Sequence, residues 1–313
     1  MPIIADEGVD PEFGTGAVKI TPAHDPNDFA MSQRHDLDIV QVIGFNNKMT
    51  SAAGTDFEGL NVMKARDLVL QKLKSNDLLI TVKNYTHQVG HSERSGAMIQ
   101  PQYSQQWFVS VKKLVKPAVQ AIKDEDIEII PKRFKKTSAD WLENLRDWCI
   151  SRQLWWGHQI PVWYKSLDGM SELQRQMNPD LMEQYKNTLG NGDTSFIVSV
   201  TKPKGDWIQD PDTLDTWFSS GQWPFTTLGY PESDDYKKFY PTAMMETGYD
   251  ILNIWVTKMI MMGLYRTGKT PFKRVYLHGL VKDEKRQKMS KSKGNVVDPL
   301  QLVEKFGADA LRM

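Results

Sequence analysis

Lys288-Met289-Ser290-Lys291-Ser292-Lys293-Gly294-Asn295 lies between an apolar run at 275–281 and the dipeptide Asp298-Pro299. The run predicts a buried strand, and Asp-Pro predicts the start of a helix. That helix has Leu300, Leu302, Val303 and Phe306 as its apolar set and Gly307 as its stop. Strand, cationic loop and helix therefore follow one another. Three lysines, two serines and a glycine in eight residues suit a loop that closes over a polyphosphate. Lysine is a compact point charge, and charge stabilisation dominates phosphoryl and nucleotidyl transfer. The GxxxxGK[ST] spacing of a Walker A loop is absent. On charge alone, a solvated lysine-rich loop fits equally well.

Working outward, the chain has 313 residues, enough for about two domains. At 40% hydrophobic and 25% charged it can bury a core and is not a disordered chain. Lys plus Arg and Asp plus Glu both number 39, which excludes a histone-like polycation but not a local basic patch. Cys149 is the only cysteine, so an internal disulfide and a multi-cysteine metal cage are excluded. No apolar run approaches the ~20 residues that span a bilayer. The start, Met1-Pro2-Ile3-Ile4-Ala5-Asp6-Glu7, has no basic region and no cleavage pattern. These features predict a cytoplasmic protein without membrane association.

Residues 1–95 read as mixed α and β. In 17–21, Val18 and Ile20 face one side and Lys19 and Thr21 the other. His24-Asp25-Pro26-Asn27-Asp28 predicts a helix start, with the helix running to about His35. A short strand is expected at 39–45 and an amphipathic helix at 61–75. Residues 96–139 read as a connector, with a strand at 105–111 and a short helix at 115–123. Its basic run, Pro131-Lys132-Arg133-Phe134-Lys135-Lys136, is better read as a solvated surface turn than as an RNA contact. Residues 165–195 are polar and predict a surface excursion. Residues 247–266 are apolar almost all round and predict a buried helix. Tryptophan and methionine concentrate beyond residue 140, so two regions of different architecture are expected.

Lys288-Met289-Ser290-Lys291-Ser292 resembles the second signature of class I aminoacyl-tRNA synthetases. Other segments resemble the valyl members of that family. They are Arg146-Asp147-Trp148-Cys149-Ile150-Ser151-Arg152-Gln153-Leu154-Trp155-Trp156-Gly157-His158, Asp215-Thr216-Trp217-Phe218-Ser219-Ser220-Gly221, Glu246-Thr247-Gly248-Tyr249-Asp250-Ile251-Leu252 and the stretch from Gly14 to Pro26. Leu154 to His158 argues against the isoleucyl members. The resemblance covers nearly everything except about 165–205. It implies an α/β fold: half of a parallel, Rossmann-like catalytic domain at 140–313, and part of a mixed α/β editing domain with barrel-like strands at 1–95. It also implies that the family's first, histidine-bearing signature lies upstream. The chain is then an internal segment, incomplete and inactive alone in aminoacylation.

The implied activity is ATP-dependent attachment of valine to its tRNA, with Mg²⁺, in an enzyme that is monomeric at full length. Lys291 and Lys288 are the implied catalytic lysines, and ATP would meet Lys288, Ser290, Lys291, Ser292, His278 and Gly279. Trp217, Asp250, Ile251 and Trp255 correspond to the amino-acid pocket. Ile251 and Trp255 are four apart, on one helix face, and Asp250 could bind an α-ammonium. Read without the family, Asp250 is a helix-start acid and the stripe is core. Lys19, Thr21, Asp25 and Asp28 correspond to the editing pocket, which would hydrolyse threonyl-tRNA. For the two aspartates the competing role is capping, Asp25 as N-cap and Asp28 three residues on. Relatives with zinc carry cysteines where this chain has Ser92, Ser95 and Lys165, so no metal is expected. His87 and His91 read as surface or core histidines. A non-catalytic RNA-binding or interaction module derived from a synthetase is the alternative from another functional class.

Overall fold

The computed structural model describes residues 2–92, 95–180, 195–289 and 294–313. The chain forms two compact units, Met1–Gln105 with Pro161–Asp210, and Gln106–Ile160 with Pro211–Met313. Residues 106–139 of the expected connector fall within the second unit.

In the first unit, helix α1 spans Pro26–His35 and α2 spans Val62–Ser75. Asp25 caps α1, its Oδ1 accepting from the Asn27 and Asp28 backbone N–H groups, with Pro26 opening the first turn. The strands expected at 17–21 and 39–45 do not form. Residues 42–44 meet 48–50 through the isolated bridge between Ile43 and Met49 and the backbone bonds Gly44 N–H to Lys48 carbonyl and Thr50 N–H to Val42 carbonyl, which is too short a pairing to make a strand. Alternation at 17–21 cannot by itself make a strand without a paired edge, and Val18 and Val40 remain more than half exposed. The sheet of this unit lies elsewhere, in the antiparallel order Phe196–Val198, Val162–Tyr164, Ile208–Gln209. The polar excursion is in part packed structure. A capping box joins Ser171 and Gln174 at the helix Glu172–Met177, and the buried Asp210 carboxylate accepts from Gln174 Nε2 (2.9 Å) and Tyr164 Oη (2.7 Å). Residues 181–194 of that excursion lie outside the described residues.

The second unit is built on a parallel sheet. Its elements are α3 (Lys112–Lys123), β1 (Glu128–Ile130), α4 (Arg133–Glu143), α5 (Thr216–Ser220), β2 (Thr242–Gly248), α6 (Thr257–Thr267), β3 (Phe272–His278) and α7 (Pro299–Phe306). The sheet order is β1-β3-β2, with Val275 opposite Ile129 on one side and Met245 on the other. A parallel pair needs a crossover, and α6 supplies it between β2 and β3. The core packs Ile122, Leu142, Val256, Met259, Ile260 and Val275, all completely buried, so α3, α4 and α6 seal against the strands.

Two expectations are corrected here. The basic run at 131–136 is not a turn: a helix starts at Arg133, carrying Lys135 and Lys136 in its first turns, with Lys135 paired to Glu125 at 2.7 Å. The segment 247–266 is not one helix. Thr247 and Gly248 still belong to β2, paired with Leu277 and His278 of β3. A 3₁₀ turn at Tyr249–Ile251 and a π-helical segment at Leu252–Val256 then precede α6. All-round apolarity marks burial but does not distinguish a buried parallel strand from a buried helix.

Candidate functional site

The parallel strands β2 and β3 end side by side at Gly248 and His278. In open α/β sheets, ligands bind beyond the carboxyl ends of the strands. The chain leaving β2 makes a tight exit that requires Gly248: a Cβ there would stand 2.7 Å from Asp250 Oδ1 and 3.1 Å from Leu280 Cδ2. Asp250 follows in the 3₁₀ turn, and its Oδ2 lies 2.5 Å from Lys288 Nζ. This hydrogen bond raises the pKa of the Lys288 ammonium, so the lysine stays charged. At the end of β3, His278 Nδ1 lies 2.6 Å from the Gly279 carbonyl and Nε2 lies 3.5 Å from Glu246 Oε1. Gly279 has open space where a side chain would be, so its backbone is accessible to a ligand.

Lys288 is placed by a local turn. Lys282 and Lys288 bridge, Asp283 Oδ1 accepts from the Gln287 backbone N–H (2.7 Å), and Arg286 takes a positive φ of 58°. From the far side of the cationic stretch, Asn295 Nδ2 donates to Asp283 Oδ2 (2.8 Å) and to the Lys288 carbonyl (3.3 Å). Asp283 and Asn295 thus hold the start of the signature at Lys288, a role that motif reading does not assign. Ser290, Lys291 and Ser292 lie outside the described residues. Beyond them, α7 opens with Asp298 as its cap and stops at Gly307, as expected.

Trp217 sits on α5, Ile251 in the 3₁₀ turn and Trp255 in the π-helical segment, all three half-buried. The indole N–H of Trp255 donates to the Ser220 carbonyl at 3.1 Å and ties the π segment to the end of α5. The π segment revises the simple four-residue repeat, and such segments occur frequently at functional sites. Within it, Asn253 Oδ1 is buried with no hydrogen-bond partner among the described residues. The start of α5 is held at Asp215. Its backbone N–H donates to the Ile150 carbonyl (2.7 Å), its Oδ2 accepts from Trp148 Nε1 (2.8 Å), and Arg152 lies 3.4 Å away. Two segments that share no sequence proximity, 146–158 and 215–221, are thereby joined.

In the first unit, Thr21 and Asp28 meet directly. Asp28 Oδ2 accepts from the Thr21 backbone N–H (2.7 Å) and from Thr21 Oγ1 (3.1 Å). The capping role divides accordingly: Asp25 caps α1, while the buried Asp28 carboxylate faces the preceding extended stretch. Lys19 is exposed, two residues before Thr21. His24 is the residue that sequence reasoning missed. Its Nε2 accepts from the Val42 N–H (3.1 Å), so the proton sits on Nδ1, which donates to the Pro101 carbonyl (3.1 Å). One imidazole therefore links three parts of the unit. His87 and His91 are exposed.

The far end of α1 is fixed by Asp6, whose buried carboxylate meets Arg34 (2.7 Å) and His35 (2.8 Å). The Arg34 guanidinium and the Gly8 N–H hold this carboxyl well below the usual carboxylate range. A depressed carboxyl pKa gives stability that is present above the unfolded value, about 3.9, and is lost as pH falls toward the folded value. Asp6→Asn is therefore expected to lower the thermal midpoint at pH 7. The gap to the unsubstituted chain should narrow steadily between pH 5 and pH 2, which a pH series of melts measures.

Among the described residues, no group of three or more His, Cys, Asp or Glu side chains is arranged to hold a metal ion, and no helix is long and apolar enough to cross a membrane. Mg²⁺ commonly takes one or two carboxylates together with substrate phosphates.

The family model that matches is that of the tRNA synthetases class I (I, L, M and V), over residues 30–313. The chain belongs to this family. The synthetase segment is 47% identical over 313 residues to the valine--tRNA ligase of Dehalococcoides mccartyi (strain CBDB1). It is 48% identical over 315 residues to that of Geobacillus kaustophilus (strain HTA426), and 48% over 317 residues to that of Staphylococcus carnosus (strain TM300). Each match covers the whole of this chain and 33% of the relative, so the synthetase segment spans about a third of the length of the curated relatives it matches.

Proposed function

We propose that this segment supplies the valine pocket and the lysine signature of a valine--tRNA ligase, together with part of its editing site. The observation that carries the reading is Asp250, a carboxylate at the carboxyl end of the parallel sheet that already holds an ammonium, that of Lys288, at 2.5 Å. The α-ammonium of valine is the same chemical group. Trp217, Ile251 and Trp255 would then form an apolar wall for the isopropyl side chain. One valine carboxylate oxygen attacks the α-phosphorus of ATP, the bond to the bridging oxygen of the β-phosphate breaks, and pyrophosphate leaves. Lys288 and Lys291 would neutralise the charge that builds on the phosphates, with Ser290, Ser292, His278 and Gly279 lining the nucleotide. Mg²⁺ would accompany the phosphates and share that neutralisation. A ribose hydroxyl of the tRNA then attacks the carbonyl carbon of the valyl adenylate, the bond to the phosphate oxygen breaks, and AMP leaves with valine esterified to the tRNA.

An apolar pocket rejects an added hydroxyl by only about a hundredfold, so threonine leaks through and a second, hydrolytic site is needed. Lys19, Thr21, Asp25 and Asp28 are proposed to belong to that site. The experiment is amino-acid-dependent ATP–pyrophosphate exchange by an intact ligase carrying this chain, beside the chain alone. Exchange by the intact enzyme is expected with valine, at about a hundredfold lower efficiency with threonine, and not with isoleucine; the chain alone is expected to be inactive. An intact enzyme without valine-dependent exchange would overturn the reading and favour a non-catalytic RNA-binding module. Exchange with isoleucine in place of valine would move the assignment to the isoleucyl type.

A further inference from the structure

Lys258 lies on α6 and is only 6% exposed. Burial lowers its pKa, and the Asp215 charge opposes that shift. Lysine is almost never buried without a partner, yet among the described residues this ammonium makes no hydrogen bond and no ion pair. It faces two indole rings instead, Trp148 at 4.6 Å and Trp141 at 5.8 Å from their centroids. A cation over an indole face is held by the ring quadrupole.

The caged lysine stands at the base of α5. The same Trp148 that accepts the cation on its face donates its N–H to the buried Asp215, the residue that begins α5. Gly221, just after α5, passes over Lys258: a Cβ at that glycine would lie 3.5 Å from the lysine Cβ. A cation above the indole also polarises its N–H toward the carboxylate, so the two contacts reinforce each other. We propose that Lys258 is a positioning residue for the amino-acid pocket: through Trp148 and Asp215 it sets α5, and with it Trp217, at the distance that valine requires. This rests on the reading of Trp217 as pocket wall given above.

The alternative is that Lys258 contributes packing alone. The test uses an intact ligase carrying this chain, with the KM for valine, the KM for ATP, the kcat of pyrophosphate exchange and the thermal midpoint measured on each preparation. Lys258→Met keeps the length and removes the charge. Trp148→Phe keeps a ring and removes the N–H; should the methionine variant not fold, this one carries the test. The KM for valine is expected to rise about tenfold, the scale of a pocket misfitted by one methylene. The ATP KM and kcat should stay within about twofold, since nothing that touches the phosphates moves. The double variant is expected to show the effect of one substitution, because both break one relay, and Lys258→Arg should recover most of the loss. A lowered midpoint with an unchanged valine KM, or additive effects in the double variant, would overturn the proposal while leaving the ligase reading intact. Absence of valine-dependent exchange in the unsubstituted enzyme would overturn both.

Discussion

Lys291→Ala in an intact ligase is expected to slow formation of valyl adenylate by on the order of a hundredfold or more, the loss seen when one preorganised electrostatic group is removed. The KM for valine should change little. The distinction follows from where the charges stand. Lys288 is engaged before any reaction, held at Asp250, whereas the role proposed for Lys291 is to meet negative charge that develops only as the α-phosphorus is attacked. A group engaged in the transition state alone changes kcat and kcat/KM together, not KM. Single-turnover adenylate formation with saturating ATP and valine is the measurement. An unchanged rate would return the loop to a solvated lysine-rich connection.

Local chemistry was legible in the sequence and long-range pairing was not. Asp25-Pro26 and Asp298-Pro299 each start a helix as read, because a cap is a contact over two or three residues. Gly307 likewise ends its helix. Val18 and Ile20 alternate with Lys19 and Thr21 as in a strand, and 39–45 is apolar, yet neither stretch joins a ladder, since local pattern says nothing of whether a neighbouring edge exists. The stretch 247–266 failed differently. Its apolarity was read correctly as burial, while the change from strand to 3₁₀ turn to π segment is set by the register of β2 against β3. Of the proposed site residues, the structure brings Asp250 to Lys288 and Asp28 to Thr21. What the motifs could not reveal were the residues that hold these in place: Trp148 under Asp215, Asn295 across the lysine stretch, and His24 between Val42 and Pro101. Each acts through a partner more than ten residues away or through an atom that no spacing rule encodes.

Asp28→Asn is expected to separate function from structure in the first unit. The helix cap belongs to Asp25, so Asp28 is not needed to start α1. Both Thr21 contacts fall on a single oxygen of Asp28, and an asparagine amide oxygen can accept the same two bonds. What is lost is the charge, which strengthens those bonds and favours the helix N-terminus. Together these losses amount to about 1 kcal/mol of stability, a midpoint shift of a few degrees. The functional loss should be far larger if this carboxylate holds the α-ammonium of misattached threonine. Removing one member of a buried charge pair costs about 2–5 kcal/mol, so hydrolysis of threonyl-tRNA should fall by roughly thirtyfold to several thousandfold. Valine activation should be unchanged, because Trp217, Asp250, Ile251 and Trp255 belong to the other unit. The measurements are deacylation of threonyl-tRNA, valine-dependent exchange and the thermal midpoint, all on an intact ligase carrying the substitution. Slow deacylation with near-normal exchange and midpoint supports the editing role. Normal deacylation with a lowered midpoint would leave Asp28 a structural partner of Thr21, and the proposed editing set would contract to Lys19, Thr21 and Asp25.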